Sequence, residues 1–202
     1  VAGTTTVNAG ANAIDLSNAG NDFGTSVNLS NTGANAISVR DAGSLVLGNI
    51  SMSSGAAGAL TIQAGGDISQ LAGTTITSGT GAVQITGVNN SSVTLANTGN
   101  AFNGTVTLAP SVGVGNRLLN VNLSDTTAFQ IQNGLTLAGN LTLTAAGITQ
   151  AGAITVAGTT TLNGGTGAIV LTSANSYGGL VTITGGTSAD MFFSLADETD
   201  LG

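Results

Sequence analysis

The chain has 202 residues, of which 41% are hydrophobic, 3% aromatic and 5% charged, with 32 glycines, one proline, no cysteine and no histidine. That apolar content can fill a core and places the chain among globular or fibrous proteins, while so low a charged fraction is unlike an ordinary enzyme. A net charge of −7, from nine acids against Arg40 and Arg117 alone, disfavours nucleic acid and anionic membrane surfaces as partners, because both are held by clustered Lys and Arg.

From the first residues onward the chain is a succession of short alternating runs: TTTV, AIDL, TSVNL, AISV, SLVL, ALTI, VQIT, VTL, LTLT and ITV recur about every nine residues. Their period of two and their Thr, Val, Ile and Leu content predict β-strands. NAG, NTG, AGG, GTG and NGG separate them, and glycine and asparagine accept the positive backbone angles of tight corners. No segment carries a capped 3.6-residue pattern, so no long helix is expected. No apolar run approaches the roughly 18 residues of a membrane-spanning helix, and membrane insertion is not expected. Val1 lies inside a repeat with no basic and apolar leader around it.

A longer period overlies the strands. AGTTTVNAGANAIDL begins at Ala2, AGTTITSGTGAVQI at Ala72 and AGTTTLNGGTGAIVL at Ala157, and each leads into an Asn-x-aromatic-x-x-x-Val frame. The frames are NDFGTSV from Asn21, NAFNGTV from Asn100 and NSYGGLV from Asn175. LVLGNISM at Leu45 resembles LTLAGNLTL at Leu135, and LTIQAGGDISQ at Leu60 resembles LTLTAAGITQ at Leu141. The expected organisation is one continuous all-β solenoid, a parallel β-helix of imperfect repeats of roughly 75–85 residues. Unit one occupies 1–71, unit two 72–156, and 157–202 holds the start of a third with a possible module boundary. Three strands per turn predict about 25 residues per turn and about eight turns, roughly 40 Å in all. Phe23, Phe102 and Tyr177 are expected to be plugs in a thin core. Asn21, Asn100 and Asn175 are expected to bend the chain into strands whose Val27, Val106 and Val181 point inward.

AGTTTLN, the run from Gly139 to Gly158 and the NDFGTSV frame resemble the repeats of filamentous-haemagglutinin-like exoproteins and related giant β-strand-repeat adhesins of Gram-negative bacteria. The resemblance implies a right-handed parallel β-helix, export across the outer membrane, often through a partner pore, and a stalk or adhesive fibre at the extracellular bacterial surface. Independently of the resemblance, near-neutral faces suit weak multivalent contacts with a host or neighbouring-cell glycan or protein, and unpaired turns expected at Val1 and Gly202 suit a second copy joined end to end.

The inventory excludes most catalysis: without His, Cys or Lys there is no Ser-His-Asp triad, thiol nucleophile, Schiff base or phosphate-binding lysine. Asp15, Asp22, Asp41, Asp67 and Asp125 are scattered singly and read as solvated or turn-bonding residues, so no catalytic residue, no cofactor and no enzyme are expected. The competing reading is a carbohydrate-active or carbohydrate-binding β-helix, for which two acids would have to converge on a sugar. Ice binding would use Thr-x-Thr pairs, which start at Thr4, Thr75, Thr105, Thr142, Thr159 and Thr182 without a constant spacing. Gly185 to Phe193 resembles one imperfect calcium nonapeptide, with Asp190 at its acidic position and Ser188 in place of a glycine; Asp190 is the single calcium candidate.

Overall fold

A computed structural model describes residues 1–111, 113 and 115–185, and the backbone of 191–195. Among them there is no helix; the chain winds into a β-solenoid of about 8 turns in which every strand pair is parallel. One sheet runs the length of the solenoid as Thr5–Asn8, Val27–Ser30, Leu45–Ser51, Ile68–Gln70, Val93–Leu95, Val121–Ser124, Leu141–Thr144, Thr160–Asn163 and Val181–Thr184. The opposite sheet is built from Ile14–Leu16, Ile37–Asp41, Leu60–Ala64, Val83–Gly87, Val106–Pro110, Phe129–Ile131, Ile148–Gln150 and Ile169–Tyr177, with Met191–Leu195 beside the last.

Thr5 and Val181 lie eight steps apart on the first sheet, an average turn shorter than the one expected from three full strands. A third face exists only in patches, and it changes corner along the axis. Ile76–Thr77 pairs with Ile50–Ser51, and Thr77 bridges Ala101, on the way from the first sheet to the second. Further on, Leu135–Leu137, Ile154–Val156 and Ser176–Tyr177 pair on the way back.

The alternation read from the sequence becomes an inside and an outside. Ile37–Asp41 and Leu60–Ala64 alternate buried and half-buried along their length. Inward residues stack on their counterparts one turn away, as in the column Ile14, Ile37, Leu60, Val83, Val106 and its neighbour Val39, Ile62, Ile85, Leu108. Outward positions carry Ser38, Thr61, Gln84 and Thr107 in the same register. Parallel sheets usually need cover on both faces; here each sheet covers the other inside, and the Thr, Asn, Ser and Gln outer surface is wetted directly.

Corners that stack on corners demand glycine. Gly58, Gly81 and Gly104 each precede a strand of the second sheet by two residues. A Cβ on Gly81 would collide with the Ala57 and Gly58 carbonyls, and one on Gly104 with that of Gly81. Backbone follows backbone too closely there for any side chain.

Truncating an inward residue opens a void lined by turns that cannot close onto it. Ile62→Ala is expected to lower the unfolding free energy by about 2–5 kcal/mol, whereas outward Thr61→Ala stays within about 0.5 kcal/mol. Denaturant titration of both variants checks this, and equal effects would contradict the inside–outside assignment.

Candidate functional site

The aromatic frames mark the most distinctive corners of the solenoid. Asn100 is fully buried, and its side chain spans two turns. Its Oδ1 accepts hydrogen bonds from Gln70 Nε2 at 2.8 Å and from the Ile76 backbone N–H at 2.9 Å. Its Nδ2 donates to Gln70 Oε1 at 2.9 Å and to the Leu95 carbonyl at 3.0 Å. The two amides thus form a closed pair in which each donates and accepts.

Asn175, also fully buried, repeats the arrangement. It exchanges bonds with Gln150 at 2.8 and 3.0 Å, accepts from Ile154 N–H at 2.9 Å and donates to the Leu171 carbonyl at 3.1 Å. Asn21 is half-buried and makes one of these bonds, from Nδ2 to the Leu16 carbonyl at 2.8 Å. Asn100 and Asn175, expected to bend the chain, are therefore amide hubs that staple one turn to the one before it, whereas the Asn21 side chain bonds only within its own turn.

Gln70 and Gln150 do not stand out in the sequence alone, yet each ends an Ile-x-Gln in the matched blocks at Leu60 and Leu141, 30 and 25 residues ahead of its asparagine. Of the rings, Phe102 and Phe23 are buried in the core, and Tyr177 packs half-buried against it with its hydroxyl pKa raised by burial. Val27 and Val106 are buried and Val181 is half-buried.

Two acids expected at solvated or turn positions are inside, at 2% exposure for Asp41 and 5% for Asp125. They do bond turns, one turn beyond a ring. Asp41 accepts from the Phe23 N–H at 2.8 Å and the Gly43 N–H at 2.7 Å. Asp125 Oδ1 accepts from the Phe102 N–H at 3.1 Å and from the Thr127 N–H and hydroxyl, each at 2.9 Å. The corner makes these N–H groups unavailable to a neighbouring strand, and a carboxylate is a strong acceptor for them. Asp125 Oδ2 is buried with no partner among the described residues; desolvation raises its pKa, against the lowering effect of those bonds.

A polar ladder climbs the corner that enters the first sheet: Ser44, Asp67, Ser92, Asn120, Asn140 and Thr159 are linked turn by turn. Where the strand Leu45–Ser51 bulges, pairing slips from Val27–Leu47 to Leu29–Ile50, and Asn28 Oδ1 takes the freed Asn49 N–H at 2.8 Å. Glycines sit opposite the asparagine oxygens, Gly48 facing Asn28 and Gly139 facing Asn120, because a Cβ there would strike the amide.

Outside, Ser69, Thr94, Asn122, Thr142, Thr161 and Thr182 share one register column. Among the described residues no three His, Cys, Asp or Glu come together as metal ligands, and no helix is long and apolar enough to cross a membrane. Asp15 is exposed, its pKa lowered by hydrogen bonds from Ser17. Asp190, the calcium candidate, lies outside the described residues.

A family model described as repeats of unknown function (DUF5649) matches residues 1–30, 34–109 and 119–184. The gaps fall at corners, the second beside the widest step of the first sheet, from Val93 to Val121. No curated protein and no solved structure matches the chain.

Removing the Asn100 amide strands the Gln70 amide, the Ile76 N–H and the Leu95 carbonyl. Asn100→Ala is expected to cost about 2–5 kcal/mol, and outward Asn122→Ala within about 0.5 kcal/mol, by denaturant unfolding. Asp125 supplies a pH test. Its folded-state pKa lies above the ordinary 3.8, so the folded chain holds this proton more tightly than the unfolded one. Its contribution is complete below the ordinary value and is lost as pH rises through the raised one. Relative to Asp125→Asn, which does not titrate, the wild-type chain should lose stability as pH rises from about 4 toward neutrality; an opposite or absent slope would contradict the assignment.

Proposed function

The chain belongs to the DUF5649 repeats, and we propose that it is a structural and adhesive segment of a secreted bacterial surface fibre, similar in role to filamentous-haemagglutinin-like adhesins. It would stand outside the cell as a stalk or filament and present, or itself make, weak multivalent contacts with a glycan or protein on a host or neighbouring cell. The observation that carries this reading is the uninterrupted parallel ladder from Thr5 to Thr184. Between the first and last described turns the strands of the two main sheets are paired along the axis on both edges, so the fold can lengthen by adding turns. The long repeat, low charge and polar outer faces support a spacer that presents the same chemistry many times along its length.

A carbohydrate-binding β-helix is the second reading, favoured by the outward column of hydroxyls and amides on the first sheet. Against a sugar-stacking platform stands the burial of Phe23, Phe102 and Phe129. Ice binding would need that column flat and uniform, and Asn122 interrupts its threonines.

Display on beads separates these readings. For a weak multivalent contact, dense display on host or bacterial cell surfaces and glycan arrays should raise apparent affinity by about 10²–10⁴ over the single chain. Equal retention of both forms, or of neither, would sink the adhesive role. Polysaccharide turnover abolished by a single Asp→Asn change would overturn the non-enzymatic reading.

A further inference from the structure

Among the described residues the solenoid has two complete amide staples, at Asn100 and Asn175, and a half-made one at Asn21. The segment Asp15 to Phe23 shares four bonds with Thr94 to Phe102, within the turn and toward the following one. Asn21 N–H donates to the Asn18 carbonyl at 3.2 Å, and Asn100 N–H to that of Asn97 at 3.3 Å. The Asn21 and Asn100 carbonyls accept from Ala42 and Thr126 N–H, both at 2.8 Å. Their Nδ2 groups donate to Leu16 and Leu95, and the N–H of each following phenylalanine goes to a buried aspartate.

On the side facing the preceding turn the two differ. Asn100 meets the Gln70 amide and the Ile76 N–H, and Asn97 Nδ2 donates to the Leu71 and Thr74 carbonyls at 2.8 and 2.9 Å. At the first turn Asn21 Oδ1 and Asn18 Nδ2 make no such bond within the described residues, and they border an open cleft lined by Asp15, Leu16, Ser17, Asn18 and Asn21.

From this we infer that the face of the first turn is a docking surface for a turn of the same repeat, one carrying Ile-x-Gln whose glutamine amide closes on Asn21 and whose carbonyls take Asn18. The internal copies specify the occupant. The glutamine lies 25 or 30 residues before its asparagine, and a strand N–H follows it by four to six residues, as Ile154 follows Gln150 and Ile76 follows Gln70. A second copy of this chain does not meet that description, since Gln70 and Gln150 are already closed on Asn100 and Asn175 of their own chain. Joined directly ahead of Val1, the required turn places its glutamine in the observed range, because Val1 to Thr6 and Val156 to Thr161 are the same sequence, VAGTTT.

The chain supplies its own probe. Residues Gly139 to Thr155, GNLTLTAAGITQAGAIT, are fused ahead of Val1 of the full chain, so that the added glutamine stands just one position farther from Asn21 than Gln150 stands from Asn175. The fusion is expected to melt above the parent. Replacing the added glutamine with alanine should lower that Tm by roughly 2–4 °C, while Asn21→Ala should cost much more in the fusion than in the parent, where its side chain makes a single bond. Side-chain amide exchange of Asn21 should slow in the fusion and recover in the glutamine variant, which reads the contact even if Tm is insensitive. Equal melting of the fusion and its glutamine variant with unchanged Asn21 exchange would overturn the inference. So would end-to-end dimers of the parent, seen by sedimentation and abolished by Asn21→Ala, because the occupant would then be a second copy.

Discussion

Parallel hydrogen bonding between successive turns is the constraint on which the rest of this structure depends. Each residue must tolerate its counterpart one turn away, at the ~4.8 Å spacing of paired strands. Apolar residues meet that condition by stacking in columns, as Ile37, Leu60, Val83 and Val106 do. Corners meet it by removing side chains where carbonyls lie directly beneath, at Gly58, Gly81 and Gly104. The high glycine and small-residue content and the scarcity of rings both follow from a thin interior repeated many times.

Sheets stack well, but corners leave backbone groups without a neighbour, and buried N–H groups without an acceptor destabilise a fold by about 1–3 kcal/mol each. The buried polar residues meet this need. Asn100 and Asn175 with their glutamines serve corners where the patchy third face begins or ends. Asp41 and Asp125 serve the N–H of a ring residue one turn below. Asn28 serves a bulge. Because each staple joins adjacent turns, it also fixes register, which identical hydrophobic columns specify only weakly.

The long period itself has a structural meaning. It comes close to three and a half turns, so equivalent segments alternate between the two sheets. Val27 lies in the first sheet, Val106 in the second and Val181 in the first again. The block LTIQAGGDISQ runs from second sheet to first, and its relative LTLTAAGITQ from first to second. Both sheets are apolar inside and polar outside, so one sequence serves in either.

Alternation, turn residues and repeats are local signals that need no partner to be recognised, and they were enough for the all-β class, the parallel winding, the strands at the alternating runs, the inward valines and the burial of Phe23 and Phe102. Tertiary structure alone decided how much chain makes a turn, which corner carries the third face, and what the asparagines and aspartates do. Asn100 looks like a turn residue until Gln70, far earlier in the chain, is brought beside it, and Asp41 looks solvated until Phe23 lies one turn below. Those contacts depend on the winding register, which short-range patterns leave open and which only the closing of each turn onto the last can set.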